Sequence, residues 1–539
     1  MAVPNQIEKA LSQQILGEQD EPQVDQSEVK IGVVNPEAVM VETEDGGVEF
    51  DFTESESQVM SENLADMMDE DDLNDLASDL VGAYEDDRTS RQEWEDTYSD
   101  GLELLGIRNE IRTQPFDGAS GVNHPILSEA VVRFVSQSIM EIFPASGPVK
   151  TKVVGEYTEE KAKQAQRVED YMNYLLTDAM PEYRTETEQM LFQLALAGSA
   201  FRKVYFDPYL KRPASVFVPA EDFVVSYSTT DLVSSPRYTH VMQKTENFVR
   251  KMQINGFYRD FELSETSTGD TGDVQTKYDE LTGVTEVNET DLRTILEIHA
   301  ELELKGFEDT DSEGNETGVA LPYVVTIDRD SNSILSIRRN YQNDELKTPT
   351  QFFVHYKFQP GLGYYGFGLI HLIGSIAKSS TSILRQLIDA GTLANLPAGF
   401  KARGLRIKGD DTPIAPGEFR DLDLPSGAIR DNIMPLPFKE PSQTLANLLG
   451  VLVQEGRRFA SIADLQIGEG NQEAPVGTTL ALIERSMKVM SAIHARLHSS
   501  LRRELSLLSD VISTGVTEYP YDTDGNISQD FDKKIDIIP

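Results

Sequence analysis

Residues 361–391 read GLGYYGFGLIHLIGSIAKSSTSILRQLIDAG, and how this run is taken decides the organisation of the chain. Its first six residues spell G-x-G-x-x-G, it follows the strand-like FFVHYKF (Phe352 to Phe358), and it opens a helical pattern. A phosphate-cradling loop needs small residues where backbone N–H groups approach the pyrophosphate at a helix N-terminus. Tyr364 and Tyr365 stand inside this loop instead. The dinucleotide fingerprint also needs a second strand ending in an acid about 20 residues on, whereas Asp389 ends the same helical run. Gly361, Gly363, Gly366 and Gly368 therefore read as a hinge from strand to helix. Beyond them Leu369, Leu372, Ile373, Ile376, Ile383, Leu384, Leu387 and Ile388 share one helical face. At 1.5 Å per residue this predicts a helix about 35 Å long.

Downstream, a Pro/Gly-punctuated, strand-like stretch runs from about Asn395 to Lys439. PSQTLANLLGVLVQEGRRFASIADL (441–465) then supplies a capping Ser442 and a second apolar-periodic helix. QIGEGNQEAPVG interrupts it. The following TTLALIERSMKVMSAIHARLHSSLRRELSLLSD predicts a third long helix, with Leu480, Ile483, Met487, Met490, Ile493, Leu497, Leu501 and Leu505 on its apolar stripe. Helix, strand insert, helix, Gly-rich loop, helix describes an elongated element that leaves a body and returns to it.

Upstream lies that body. Residues 1–58 are polar, acidic and without apolar periodicity, which reads as disorder. Helical spacing begins near residue 60 with Leu64, Met67, Met68, Leu73, Leu76, Leu80 and Tyr84, and a second helix over 90–107 carries the one tryptophan, Trp94, as a packing anchor. Further helices are predicted at about 126–143, 158–180 and 185–197. FRKVYFDP, ASVFVPAEDFVVSYS, RYTHVMQKT, TILEIHAELEL, PYVVTIDRD and SILSIRRNY then alternate or cluster β-branched and aromatic residues between turn signals. The fold class is α+β.

Composition narrows the function. The 539-residue chain has no Cys, which excludes disulfides, thiol catalysis and Cys-ligated metal centres, and no apolar run approaches the length of a membrane span. Its net charge is −43, and residues 1–87 alone hold about 25 acids against Lys9 and Lys30. Such a chain offers no broad basic face to grip a phosphate backbone. GSIAKSS (374–380) has the wrong spacing for a P-loop and sits in a helix. His494 and His498 lie four apart but lack the adjacent Glu of a zincin. Asp309, Asp311, Glu313 and Gly314 resemble the start of a calcium loop whose twelfth position is Ala320, so a hairpin tip is expected there. With seven His and no Cys, no nucleophile–base pair stands out, and a non-enzymatic protein needing no cofactor or metal is expected.

Four stretches in order carry a resemblance: TQPFDGASGVNHPILSEAVVRFVSQSIMEIFPASGPVK; LALAGSAFRKVYFDP with VPAEDFVV; GYYGFGLIHLIGSIAKSSTSILRQLIDAG; and ADLQIGEGNQEAPVGTTLALIERSMKVMSAIHARLH. Together they resemble the portal, or head-to-tail connector, protein of tailed bacteriophages, most like podovirus-type portals. The resemblance implies a wing at 59–366, a stem helix at 367–391, a clip at 392–440 and a second stem helix at 441–465. A tunnel loop at 466–476 and a crown-side helix at 477–511 follow, then a C-terminal segment, 512–539, where the family usually continues further. Gly468, Glu469, Gly470, Asn471, Gln472, Glu473, Ala474 and Pro475 would face DNA in the bore. Lys401, Arg403, Arg406 and Lys408 of the clip would contact partners. The implied function is a ring of about twelve copies at one capsid vertex, conducting double-stranded DNA during packaging and ejection. Its implied partners are the terminase large subunit, a tail adaptor, and capsid and scaffold proteins, with assembly in the host cytoplasm and residence in the virion. The competing expectation is an acidic, non-enzymatic virion assembly protein, a scaffold or coat-associated subunit.

Overall fold

The computed structural model describes residues 62–395 except 109, 209, 263–271, 285–291, 311–315 and 342–346, together with 436, 438–459 and 476–539. Short strands at 40–42, 48–50, 399–401, 406–407, 422–423 and 433–435 are described as well. The chain divides into two units between Val59 and Met60. In the first, β1 (Met40–Glu42) pairs antiparallel with β2 (Val48–Phe50), Val41 opposite Glu49. This three-residue ladder lies within the segment whose sequence reads as disordered.

The second unit begins with α1 (Glu70–Ser90), α2 (Gln92–Leu102) and α3 (Ile126–Ile142), then β3 (Lys150–Val153), α4 (Glu159–Tyr174) and α5 (Glu182–Ala197). Strands β4 (Ser199–Asp207), β5 (Arg212–Val218), β6 (Phe223–Val225) and β7 (Arg237–Thr245) follow. After α6 (Glu246–Ile254) and α7 (Asp273–Thr282) come β8 (Leu292–Leu302), β9 (Leu321–Asp328), β10 (Ser333–Arg339) and β11 (Phe353–Lys357). Next are α8 (Leu369–Asn395), β12 (Gly399–Lys401), β13 (Arg406–Ile407), β14 (Leu422–Asp423) and β15 (Ile433–Pro435). The chain closes with α9 (Gln443–Phe459), α10 (Val476–Gly515), α11 (Ile527–Asp530) and β16 (Ile535–Ile538). The α+β class read from the sequence is the class of the structure. The helices α6 and α7 were not foreseen, because nine and ten residues hold too few turns for periodicity to register.

An antiparallel five-stranded sheet, in the order β10-β9-β8-β7-β6, is buried on both faces. Leu296, Ile298 and Ala300 of β8 meet Leu73, Ala77, Leu80 and Tyr84 of α1, while Ile295, on the other side of the pleat, packs with Val249 of α6 and with Tyr258. The edge of β10 is covered by Asn63, whose side chain accepts from the Ile337 amide at 3.0 Å and donates to the Leu335 carbonyl at 3.4 Å. That contact blunts an otherwise open edge. A three-stranded sheet, β11-β4-β5, lies against the main helical core, where Phe134, Leu191, Leu194, Ile373, Leu497, Leu505 and Ile512 are buried together. The last strand, β16, pairs with β3 as a two-stranded ladder, and beside it Asp530 receives both Arg167 Nε at 2.7 Å and Arg167 Nη2 at 2.5 Å.

Helix α10 is fixed to this body by a buried carboxylate. Glu504, fully buried, accepts from Tyr183 Oη at 2.9 Å, from Ser215 Oγ at 2.7 Å and from the Tyr356 hydroxyl. Arg202, also fully buried, lies under the same strands, donating to the Ser215 carbonyl at 2.9 Å and to Thr187 Oγ1 at 2.6 Å, with its guanidinium 4.7 Å from the Tyr183 ring. A carboxylate inside an apolar stripe is costly unless it is fully hydrogen-bonded, and three donors meet that requirement.

Candidate functional site

The glycine stretch forms a tight joint between β11 and α8. Phe367 donates to the Gln359 carbonyl at 2.8 Å, closing the loop, and Phe358 donates to the Gly198 carbonyl at 3.0 Å. Gly198 ends α5 at φ +89°, a left-handed value that favours glycine. A Cβ at Gly198 would overlap the backbone of Phe367 and Gly368, one at Gly366 would overlap the Gly198 carbonyl, and one at Gly368 would overlap the Leu196 carbonyl. Gly361 is equally closed, against the Tyr365 carbonyl, whereas Gly363 has open space. The stretch read as a hinge is backbone packed on backbone: at three of the four positions the glycine serves close approach, and only Gly363 is unconstrained.

The two tyrosines explain why this loop is no phosphate cradle. Tyr364 is buried, with its ring parallel to that of Phe201, and Tyr365 stacks on Trp94 at 4.8 Å. Trp94 also stacks on Tyr98, as its role of packing anchor required. The organising residue is one the sequence reading did not single out. Arg91, 6% exposed, donates through Nη1 to the carbonyls of Ala220 (2.9 Å) and Phe223 (2.8 Å) and to the Tyr365 hydroxyl (3.0 Å), and its Nη2 reaches the Glu221 carbonyl. Glu95 pairs with it at 2.5 Å. One guanidinium thereby joins the loop Pro219–Val224 to the glycine joint and to the start of α2.

Two carboxyls border this cluster. Burial, with the neighbouring Asp222, pushes Glu221 up to about 7, and burial pushes Asp222 up to about 6 although Arg91 opposes it. A carboxyl whose folded pKa lies above its unfolded value of 4.5 stabilises the protonated fold. Its contribution is full below that value and is lost as pH rises toward 7. Replacing the carboxyl with an amide, Glu221→Gln, should therefore flatten the fall in stability between about pH 5 and 7. The variant should be more stable than the parent at about pH 8, by about 1–3 kcal/mol. Urea denaturation at both pH values measures this, and an unchanged pH slope would contradict the assignment.

Beyond the joint, α8 runs 27 residues and packs along α9, with Gly456 of α9 set against Ile126 and Ile376. On α9, Leu448 and Val451 are 44% and 56% exposed, and Leu445, Leu449, Leu452 and Val453 are only half-buried. Its apolar face is left largely uncovered. Another side of α8 borders a cavity of about 900 Å³, shared with α7 and the 108–123 loop. The basic lining residues are Arg108, Arg112, Lys277, Lys378 and Arg385, and the acidic ones Glu103, Glu110, Glu280 and Asp389. Several pair across it, Arg385 with Glu110 at 2.7 Å and Lys277 with Glu103 at 2.5 Å. In a chain of 48 basic and 91 acidic residues this is an unusually balanced surface.

Lys401 stands in β12 opposite Ile433, and Arg406 in β13 opposite Asp423. Arg403, Lys408 and the whole tunnel-loop stretch 468–475 lie outside the described residues. His494 and His498 both meet Glu141 of α3, His498 Nε2 at 2.9 Å from Oε1 and His494 Nδ1 against Oε2. Among the described residues no cluster of three or more His, Cys, Asp or Glu can hold a metal, and no helix is long and apolar enough to cross a membrane. Thr310 bridges Glu316 antiparallel, flanking the calcium-like stretch whose residues 311–315 are outside the described set. Arg91 and Glu504 gave weak signals in sequence: Glu504 is an acid on the stripe between Leu501 and Leu505.

No protein-family model matches this chain, and no curated protein matches its sequence.

Proposed function

We propose that this chain is a portal subunit, a non-enzymatic protein that closes into a ring at one capsid vertex and conducts double-stranded DNA inward and outward. The observation that carries the reading is the α8–α9 pair: long helices bracketing short strands, followed by the 40-residue α10, with an apolar face on α9 that the monomer leaves uncovered. At 1.5 Å per residue α8 and α10 are about 40 and 60 Å long, lengths suited to lining and crowning a channel. An uncovered helix face beside a charge-balanced surface supports contact with a neighbouring copy, since a chain of net charge −43 repels itself elsewhere. A heterologous contact whose rotation closes generates a ring. The acidic wall of such a ring lets DNA slide rather than bind. ATP hydrolysis then belongs to a separate terminase, with a tail adaptor docking after packaging. In this reading 59–366 is the wing, 392–440 the clip and 468–475 the loop facing DNA.

The test is the mass and symmetry of the purified full chain by negative-stain electron microscopy. A closed ring of about twelve subunits with an axial hole is expected, and a monomer or shapeless oligomer would sink the reading. Leu448→Glu with Val451→Glu should leave the subunit folded, because exposed substitutions move stability by about 0.5 kcal/mol or less, and should abolish the ring. Rings that persist in this variant would remove α9 from the interface.

A further inference from the structure

A polar seam joins the two larger sheets, and its last link is unmade by protein atoms. It starts on β4, where Lys203 Nζ lies 2.7 and 2.5 Å from the two carboxylate oxygens of Glu297 on β8. Glu297 in turn lies 3.1 Å from His299 Nε2, two residues along the same face of β8. Burial alone would raise the Glu297 carboxyl, but Lys203 and the His299 hydrogen bond hold it well below the usual carboxylate range. Glu297 is thus an acceptor, so the Nε2 of His299 must carry the proton.

That fixes the other side of the ring. Burial holds His299 below the ordinary histidine value, so at neutral pH the ring is uncharged and its Nδ1 is a bare lone pair. His299 is 4% exposed, clamped between Tyr238, stacked at 4.6 Å, and Phe353, edge-on at 5.5 Å, and its Nδ1 has no hydrogen-bond partner. Gln351 Oε1 is likewise buried without a partner. Both residues line one cavity of about 20 Å³, with Asn340, Tyr323 and Pro349 among its other walls. A cavity holds a water once it exceeds about 10–15 Å³ by this measure and offers two or more polar partners.

Two buried acceptors on residues that line one water-sized space call for a ligand with two donors. We infer that this cavity is a binding site for a single structural water, which donates one hydrogen to His299 Nδ1 and the other to Gln351 Oε1. The seam then runs Lys203–Glu297–His299–water–Gln351. Gln351 lies in the linker that leads into β11, and the next residue's carbonyl accepts from Val204 of β4 at 2.7 Å. The water therefore closes a loop of polar contacts from β4 through β8 and back to the strands that carry the glycine joint.

A crystal structure of the full chain, at a resolution that shows ordered solvent, tests this. One solvent peak within hydrogen-bond distance of both His299 Nδ1 and Gln351 Oε1 is expected. An empty cavity would overturn the inference, and so would a Gln351 amide turned the other way, with its nitrogen donating directly to His299. The variant Gln351→Leu should lose the peak and melt about 2–4 °C lower, whereas a variant that keeps the peak on His299 alone, with an unchanged melting temperature, would remove Gln351 from the site.

Discussion

Glu504→Leu should lower the unfolding free energy of the second unit by about 3–5 kcal/mol, the cost of leaving three buried hydroxyls without their shared acceptor. The substitution has nearly the right volume and suits the apolar stripe of α10, so a reading from helix periodicity alone predicts a stabilising change. The structure predicts the reverse. Leucine would leave the hydroxyls of Tyr183, Ser215 and Tyr356 without their shared acceptor in a fully buried place, and each orphaned group costs about 1–3 kcal/mol. Arg202 would keep Glu186 at 3.3 Å as its ion-pair partner. Glu504→Gln, which keeps one acceptor oxygen, should cost less than half as much. The shift in the urea midpoint of the two variants measures both effects, and equal midpoints for Leu and the parent would show that the hydroxyls find other partners.

The second large effect lies at the glycine joint. Gly198→Ala should destabilise by about 2–5 kcal/mol and Gly368→Ala by about 1–3 kcal/mol. The added carbon overlaps main-chain atoms that cannot rotate away, and overpacking of this kind costs about 1–3 kcal/mol. At Gly198 the left-handed conformation adds about 1–2 kcal/mol more. Gly363→Ala is the control: no atom lies within 4 Å of its added carbon, so its effect should stay within about 0.5 kcal/mol. A flexible hinge would make the three variants alike, since each removes backbone freedom. Thermal melts of the three side by side distinguish a hinge from a packed joint, and comparable losses at all three positions would favour the hinge.

Helix periodicity was legible wherever it ran for three turns or more. The three long helices of the C-terminal half were expected at 367–391, 441–465 and 477–511. The structure has them at Leu369–Asn395, Gln443–Phe459 and Val476–Gly515, the residues 460–475 lying outside the described set. Ends drifted because capping, not periodicity, sets them. The strands of the two larger sheets were read from β-branched and aromatic runs, but their pairing was not, since β4 lies between β5 and the distant β11. The terminal IDII was invisible as a strand for a related reason: four residues become β16 only because Lys150–Val153 supplies the partner.

What the sequence determined by itself, then, was everything that depends on neighbours along the chain. It set the α+β class, the order of the long helices, the absence of thiol chemistry and the acidic balance, because periodicity and composition are local sums. Only the tertiary structure decided what each polar or glycine residue is for. Arg91 became the clasp of the glycine joint, Glu504 the anchor of α10, and Gly366 and Gly368 a contact with Gly198, because each depends on atoms more than a hundred residues away. A buried charge or a missing Cβ has no meaning until its surroundings exist, and folding is what brings those surroundings together.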